Sequence, residues 1–255
     1  MPVVETAAGS IWIEDNRRDS SALPTLMIHG AGGSHLHFPP EVRHLPEANA
    51  VVPDLSAHGD SPGAGHATIA AYAADMIALL NALHIDQAIV MGHSMGGAIA
   101  LTLALDYPQR VCGLILMSTG AKLSVHSDIL SGITTEFMQV AKTIIDWQWH
   151  VNADKDLREV IGYKTLIGTP AQIVYNDYMA CNIFDVRQRL SEIHIPTLII
   201  GGTLDKLTPP KYSEYLHQHI ADSKLALIED GAHMVAQEQP HVVAGVIREW
   251  LLEFP

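Results

Sequence analysis

The chain has 255 residues, of which 48% are hydrophobic and 17% charged, and 28 acidic against 15 basic residues give a formal net charge of -13. This length suits one domain with a sizeable core, and the apolar fraction excludes disorder for most of the chain. The negative charge argues against binding to nucleic acid or to anionic lipid, because both need a basic surface.

The chain carries no sign of membrane insertion or export. No apolar run approaches the roughly 18 to 20 residues that cross a bilayer. The first ten residues lack the basic and apolar segments of a signal peptide. We therefore expect a cytoplasmic protein, in which Cys112 and Cys181 are free.

The predicted elements alternate between strands and helices. Ser10 to Glu14 alternates in polarity and is typical of an antiparallel edge strand. Continuous apolar runs then predict strands buried on both faces, at Thr25 to Ile28, Ala50 to Val52, Ala88 to Met91, Leu114 to Met117, Thr197 to Ile200 and Leu225 to Ile228. Helical segments between and after them are predicted at Ile69 to Leu83, Met95 to Tyr107 and Val242 to Leu252. The fold class is therefore α/β with a mostly parallel sheet.

One segment interrupts this alternation. Residues 120–194 contain no β-rich run and predict helices near Ser127 to His150, Asp154 to Leu166 and Pro170 to Leu190. We interpret them as a helical cap inserted into a core of residues 1–119 and 195–255, and not as an independent domain. Most of its apolar side chains should pack among its own helices, and some should roof a pocket over the sheet. The candidate pocket residues are Phe137, Trp147 and Phe184 from the cap with Gly32 and His93 from the core.

A candidate nucleophile lies in Gly92-His93-Ser94-Met95-Gly96, which matches the pattern G-x-S-x-G. A predicted strand enters the motif and a predicted helix leaves it, which is the strand, sharp turn and helix that expose a serine hydroxyl at the edge of a sheet. Such a tight turn needs residues without Cβ. The flanking elements favour Ser94 as a nucleophile over an ordinary loop serine.

A serine hydroxyl needs a base, and the base needs a carboxylate to fix its tautomer. Of the 15 histidines, His233 follows the last predicted strand, which places it at the same sheet edge as Ser94. Asp205 follows the strand before it, and the alternative position for an acid, Ser118 to Ala121, has no carboxylate. The chain order Ser, Asp, His is the one found in α/β hydrolases.

Acyl transfer also needs hydrogen-bond donors for the oxyanion. The backbone N–H of Met95, at the start of a helix, is one candidate. The loop His29-Gly30-Ala31-Gly32-Gly33 directly follows a predicted strand and can supply the second. Ala31 is our first choice for this donor and Gly32 is the alternative.

Together these motifs resemble the α/β-hydrolase superfamily, in the group of small bacterial carboxylesterases, enol-lactone hydrolases and cofactor-free haloperoxidases. The matching stretches are residues 29–33, 54–61, 92–97, 196–205 with Thr208-Pro209, and 231–233. The resemblance implies an eight-stranded, mostly parallel sheet flanked by helices, a cap inserted after the sixth strand, and the catalytic set Ser94, Asp205 and His233. Because relatives that act on haloalkanes or epoxides carry aspartate at the elbow, Ser94 argues against both activities.

Other signals point away from cofactors. The pairs His35/His37 and His217/His219 lack a third metal ligand, and no Lys-Ser or Lys-Thr follows the glycines at 30–33, so we expect no metal, no cofactor and no phosphate loop. Anionic substrates need cations at the pocket, and the cap has few: Lys122, Lys142, Lys155, Arg158, Lys164, Arg187 and Arg189. We therefore expect a small-molecule substrate that is neutral and partly apolar, with a homodimer as an open possibility.

The sequence thus predicts a serine hydrolase of the carboxylesterase type, which cleaves a small or medium ester or lactone through an acyl-enzyme. One alternative keeps the triad for C–C bond hydrolysis, lyase chemistry or perhydrolysis. A second is a ligand-sensing protein with slow or no turnover. Family likeness alone does not choose among these reactions.

Overall fold

The computed structural model describes residues 3–18 and 23–254. Its strands are β1 (Val3–Thr6), β2 (Gly9–Asp15), β3 (Thr25–Ile28), β4 (Ala50–Pro53), β5 (Ala88–His93), β6 (Val111–Met117), β7 (Thr197–Gly202) and β8 (Ser223–Ile228). They form one eight-stranded sheet in the order β1-β2-β4-β3-β5-β6-β7-β8. The strands from β3 onward are parallel, whereas β2 is antiparallel to β4 and to β1. The predicted mostly parallel α/β sheet is confirmed.

The edge of the sheet differs from the prediction. The run predicted as an edge strand is β2, and it pairs antiparallel as expected, but β1 covers its outer side. The prediction missed β1 because this strand has only four residues, all half-buried or exposed. Such a short segment has no apolar run to mark it.

The helices, in chain order, are α1 (Pro40–Arg43), α2 (Ile69–Ala82), α3 (Met95–Asp106), α4 (Ser127–Thr135), α5 (Phe137–Gln148), α6 (Lys155–Leu157), α7 (Thr165–Gly168), α8 (Ala171–Ile183), α9 (Pro210–His219), α10 (Val235–Glu238) and α11 (Pro240–Leu252). Short 3-10 turns lie at His35–His37, Pro46–Ala48 and Arg187–Glu192, and a π-helical segment at Arg158–Lys164 joins α6 to α7. Within the described residues no helix is long and apolar enough to cross a membrane.

The core lies on both faces of the sheet. Leu26 belongs to a core cluster with residues of α2, α3 and α9 on one face, and its neighbour Met27 belongs to a second cluster with residues of α1 and α11 on the other. Successive strand residues point to opposite faces, so burial of both faces requires an unbroken apolar run. This explains why the inner parallel strands were predictable from the sequence. The prediction of burial on both faces was wrong for the last run, because β8 lies at the edge of the sheet and only Ile228 of its residues is buried.

The described elements between β6 and β7 are the helices α4 to α8, the π-helical segment and the last 3-10 turn. The first helix predicted there is two helices, because the chain leaves the helical region at Glu136 (φ -140°, ψ 48°). Just before this break the hydroxyls of Thr134 and Thr135 donate to the carbonyl oxygen of Ser131, at 2.9 and 3.1 Å. Such bonds compete with the helical ladder. The third predicted helix also ends early, at Ile183.

The cap is tied to the loop that carries His233. The N–H of Met234 donates to the carbonyl oxygen of Gln148 at 3.0 Å. The Glu238 carboxylate accepts the His150 N–H at 2.6 Å with one oxygen and the Ala232 N–H at 2.7 Å with the other. One end of the cap and this loop of the core are therefore joined by direct hydrogen bonds.

Candidate active site

Ser94 lies on a strained turn between β5 and α3. Its backbone has φ 54° and ψ -116°, a conformation that is costly for a residue with a side chain. The turn is held in place because the Ser94 N–H donates to the Met117 carbonyl at 2.9 Å and the Thr119 hydroxyl donates to the Ser94 carbonyl at 2.8 Å. The neighbouring strand β6 therefore fixes the position of this serine.

Gly96 allows α3 to start close to the sheet. A Cβ at this position would lie 2.0 Å from the carbonyl oxygen of Ile28, which belongs to the backbone of β3 and cannot move aside. The N–H of Met95 belongs to the first turn of α3, where backbone donors have no acceptor within the helix. The turn thus exposes a hydroxyl and a free N–H at the same sheet edge.

Asp205 and His233 form a buried pair after β7 and β8. Nδ1–H of His233 donates to Oδ2 of Asp205 at 2.9 Å, and only 3% and 1% of the two residues are exposed. Burial raises the pKa of Asp205, but the His233 charge and the hydrogen bonds from His233 and Thr208 outweigh it, so the pKa is below its usual value. A carboxylate held ionised in this way fixes the imidazole with Nε2 free to accept a proton.

His93 supports the His233 loop. Its Nε2–H donates to the His233 carbonyl oxygen at 3.0 Å, and the two rings lie 5.0 Å apart. Burial, with the nearby His233, lowers the pKa of His93 to about 3. His93 therefore stays neutral at physiological pH and acts as a hydrogen-bond donor to the loop.

The loop after β3 is a tight turn that is closed by a 3.1 Å bond from the Gly33 N–H to the Gly30 carbonyl. Gly32 has φ +60°, which is typical of the third residue of a type II turn. Its N–H donates to Oδ2 of Asp177 at 2.9 Å and is not available to a substrate. Of the two donors considered in this loop, Ala31 is therefore favoured.

A cavity of about 280 Å³ opens beside Ser94, with residues of the core and the cap in its wall. Trp147 lines it as predicted and is 36% exposed. Of the other pocket residues that we expected, His93 lines the cavity, but Gly32, Phe137 and Phe184 do not. Phe184 packs into the core beneath the cap, Phe137 packs among the cap helices, and Gly32 lies against Leu166.

The Lys and Arg side chains of the cap, which could attract an anionic substrate, lie outside this cavity. Arg187 lines a separate groove, and Arg189 pairs with Asp106 and Glu192. Within the described part of the chain, the one Lys or Arg in the cavity wall is the exposed Lys206, which follows Asp205 in the core and is not part of the cap.

His37, Cys181 and Asp177 are among the residues that sequence reasoning missed at this site. His37 lines the cavity, and burial together with neighbouring histidines lowers its pKa well below the usual value. Cys181 also lines it, and burial raises the pKa of its thiol. Asp177 lies behind the Gly32 turn. The one sequence signal for any of them was the His35/His37 pair, which we considered above only as a possible metal site.

Comparison with known proteins identifies the family of the chain. Residues 25–246 match the model of the alpha/beta hydrolase family. The chain belongs to this family. It is 30% identical to the pimeloyl-[acyl-carrier protein] methyl ester esterase of Neisseria meningitidis over 241 residues, 88% of this chain and 92% of that protein. It is also 30% identical to 3-oxoadipate enol-lactonase 1 of Acinetobacter baylyi over 224 residues, 82% of this chain and 81% of that protein.

Solved structures of the family share the whole fold. The enol-lactonase from Burkholderia xenovorans superposes with a TM-score of 0.90 at 22% identity, covering 98% of this chain and 100% of that one. A thermophilic esterase from Thermogutta terrifontis, solved with malate bound, superposes with a TM-score of 0.85 at 27% identity, covering 98% and 97%. The expected fold family is confirmed, and so is the expectation that the chain is a hydrolase.

Proposed function

We propose that this hydrolase cleaves a small or medium carboxylic ester or lactone through an acyl-enzyme on Ser94. Oγ of Ser94 attacks the carbonyl carbon while Nε2 of His233 takes the hydroxyl proton, and Asp205 stabilises the resulting imidazolium. The N–H groups of Met95 and Ala31 hold the oxyanion of the tetrahedral intermediate.

The intermediate then collapses and the C–O bond to the leaving group breaks. His233 returns its proton to the departing oxygen, which leaves as an alcohol and gives an ester between the acyl group and Ser94. Water attacks this ester with His233 again as base, and the carboxylic acid and the free serine are released. In a lactone the departing hydroxyl stays attached to the product acid.

The observation that carries this proposal is the shared cavity. Ser94 on its strained turn and His233 in its hydrogen bond to Asp205 both face the same space, beside the Gly30–Ala31 turn. A nucleophile, a base with its orienting acid and candidate oxyanion donors beside one cavity are the groups that acyl transfer requires, and their presence together supports the proposal. The names of the relatives, an esterase and an enol-lactonase, support ester and lactone cleavage.

The lining of the cavity favours a partly apolar substrate. Its wall includes Leu123, Val125, Ile129, Ile144 and Trp147. An acyl or alkyl group can be buried against these side chains, with about 25 cal/mol gained for each Å² of apolar surface removed from water. We expect the buried part of the substrate to be neutral.

Replacement of the nucleophile tests the proposal. Ser94→Ala should lower kcat for p-nitrophenyl butyrate by at least about a thousandfold. Ser131→Ala, which removes an exposed serine of α4, is the matched control and should keep full activity. A fluorophosphonate should label Ser94 in the wild type, as shown by mass spectrometry of the peptide. Ester turnover retained by purified Ser94→Ala would refute the assignment of Ser94 as the nucleophile.

A further inference from the structure

Asp177 is a fully buried carboxylate that the proposed reaction does not use. It lies on α8 of the cap and accepts hydrogen bonds from three distant parts of the core. Oδ1 accepts from the Tyr72 hydroxyl at 2.6 Å, and Oδ2 accepts from Nε2 of His58 at 2.7 Å and from the Gly32 N–H at 2.9 Å. The Gly32 N–H and the Tyr72 hydroxyl supply donor hydrogens, and His58 supplies a third when Nε2 carries its proton.

The buried partner of the Asp177 carboxylate is the His58 ring. Nδ1 of His58 faces the Ser56 carbonyl oxygen at 3.0 Å while Nε2 faces Asp177, so both ring nitrogens donate and the ring carries a proton on each. Burial lowers the pKa of His58, but Asp177 and, less strongly, Asp54 outweigh it and raise the pKa above the usual value. The neighbouring His29, whose ring lies 5.2 Å away, is kept neutral by burial.

The hydrogen bond from Gly32 to Asp177 is important because Gly32 follows Ala31 in the turn after β3. The peptide between Ala31 and Gly32 is the middle peptide of the turn, and its N–H is the one that Asp177 holds. The peptide before it carries the N–H of Ala31. The two peptides meet at Cα of Ala31, so the bond that anchors the middle peptide limits how far the turn, and the Ala31 N–H with it, can shift relative to Ser94.

We propose that Asp177 is a positioning residue, which holds the Ala31–Gly32 peptide so that the Ala31 N–H points at the oxyanion and which joins the cap helix α8 to this turn. This inference rests on the proposed function. Packing supports it, since a Cβ at Gly32 would lie 2.5 Å from Cδ1 of Leu166 and 3.4 Å from Cγ2 of Val174, both in the cap.

Three variants separate positioning from general destabilisation. Asp177→Leu removes every acceptor. Asp177→Asn is the conservative rescue, because its carbonyl oxygen can still accept from Gly32 at the position of Oδ2. Tyr72→Phe removes one partner and leaves the bond to Gly32 intact. Because one oxyanion donor is worth about 10²–10³ in kcat, we expect about a ten- to hundredfold loss in Asp177→Leu, with KM within about threefold of the wild type. The other two variants should stay within about fivefold.

Inhibition supplies a readout that a structural role would not move. An alkyl trifluoromethyl ketone forms a hemiketal oxyanion on the serine, so its Ki should rise in Asp177→Leu by the same factor as kcat/KM falls. Affinity for butanol, a neutral ligand without an oxyanion, should not change. Normal kcat and normal ketone affinity in folded Asp177→Leu would overturn the proposal. So would an equal loss in Tyr72→Phe.

A measurement that needs no activity distinguishes this inference from the proposed function. Amide hydrogen exchange at Gly32 should be at least about tenfold faster in Asp177→Leu and unchanged in Tyr72→Phe. If the wild type hydrolyses no ester, the proposed function fails, while unchanged exchange at Gly32 means that the anchor itself is wrong. Should Asp177→Leu not fold, the triple variant Asp177→Leu, His58→Leu, Tyr72→Phe removes the orphaned donors of the two side chains and is measured instead.

Discussion

Replacement of Asp205 by asparagine should prevent His233 from acting as a base while the protein still folds. Oδ1 of Asp205 accepts the N–H groups of Leu207 and Thr208, at 2.8 and 2.9 Å. An asparagine must therefore place its carbonyl oxygen there, since an amide NH₂ cannot accept. Its NH₂ then takes the place of Oδ2 and faces Nδ1 of His233. Nδ1 must become an acceptor, and the ring proton moves to Nε2, where it blocks proton transfer from Ser94.

This wrong tautomer should cost about 10⁴ in kcat, equivalent to about 5.4 kcal/mol of barrier. KM should change little, because Asp205 is buried behind His233 and is absent from the cavity wall. The assay is steady-state hydrolysis of p-nitrophenyl butyrate together with the rate of labelling by a fluorophosphonate. Both rates should fall by a similar factor, since each needs a deprotonated serine.

Thr208→Val is the matched control for this experiment. The Thr208 hydroxyl donates to Oδ2 of Asp205 at 2.8 Å, and its loss leaves the carboxylate with two backbone donors and His233. A hydrogen bond to a charged group is worth about 1.5–3 kcal/mol, mostly of folding stability here, so kcat should fall less than about tenfold. Asp205→Asn with more than about a hundredth of wild-type kcat and an unchanged Tm would refute the tautomer argument.

Three further predictions concern the turn, the cavity mouth and pH. Gly32→Ala should lower both kcat and Tm, because an alanine in the left-handed conformation costs about 1–2 kcal/mol and its Cβ would contact Leu166. In a thermal melt, the additional substitution Leu166→Ala should restore part of the lost Tm. At low salt, Lys206→Ala should raise KM about two- to fivefold for the anionic ester monomethyl succinate and should leave KM for the neutral methyl butyrate unchanged. Equal changes in KM for both esters would contradict a charge effect. The pKa of His58 is raised in the folded protein. The contribution of His58 to folding stability is therefore complete below pH 6.5, its ordinary pKa, and is lost as the pH rises through the higher pKa of the folded state. Urea unfolding from pH 6 to 9 should show that the free energy of unfolding declines with pH in the wild type and changes less in His58→Gln. An equal pH dependence in the two proteins would exclude His58 as the source of the decline.

The sheet and the candidate triad could be predicted because both depend on local signals. Strands buried on both faces are unbroken apolar runs, and residues that follow them gather at one edge of a parallel sheet. Ser94 stands directly after β5, and Asp205 and His233 stand a few residues after β7 and the edge strand β8, so knowledge of the strands was enough to bring them together.

The cap and its contacts could not be predicted in the same way. Asp177 is an isolated acid in a helix, and its bond to Gly32 spans 145 positions of sequence. Phe137 and Phe184 were expected in the pocket on grounds of apolarity, but apolarity does not say which way a helix is turned. The break at Glu136 depends on hydroxyl bonds that the pattern of apolar residues does not record.

The bonds that tie the cap to the core also limit how new specificities can arise. The cap holds the Gly30–Gly33 turn through Asp177, and it holds the His233 loop through the Gln148 carbonyl and through the His150 N–H, which donates to Glu238 of the core. A cap grafted from a relative would need its own acceptor for the Gly32 N–H and its own partner for Glu238, or it would disturb the chemistry along with the substrate. New specificity should therefore arise more readily from substitutions at wall positions such as Ile144 and Trp147 than from exchange of whole caps.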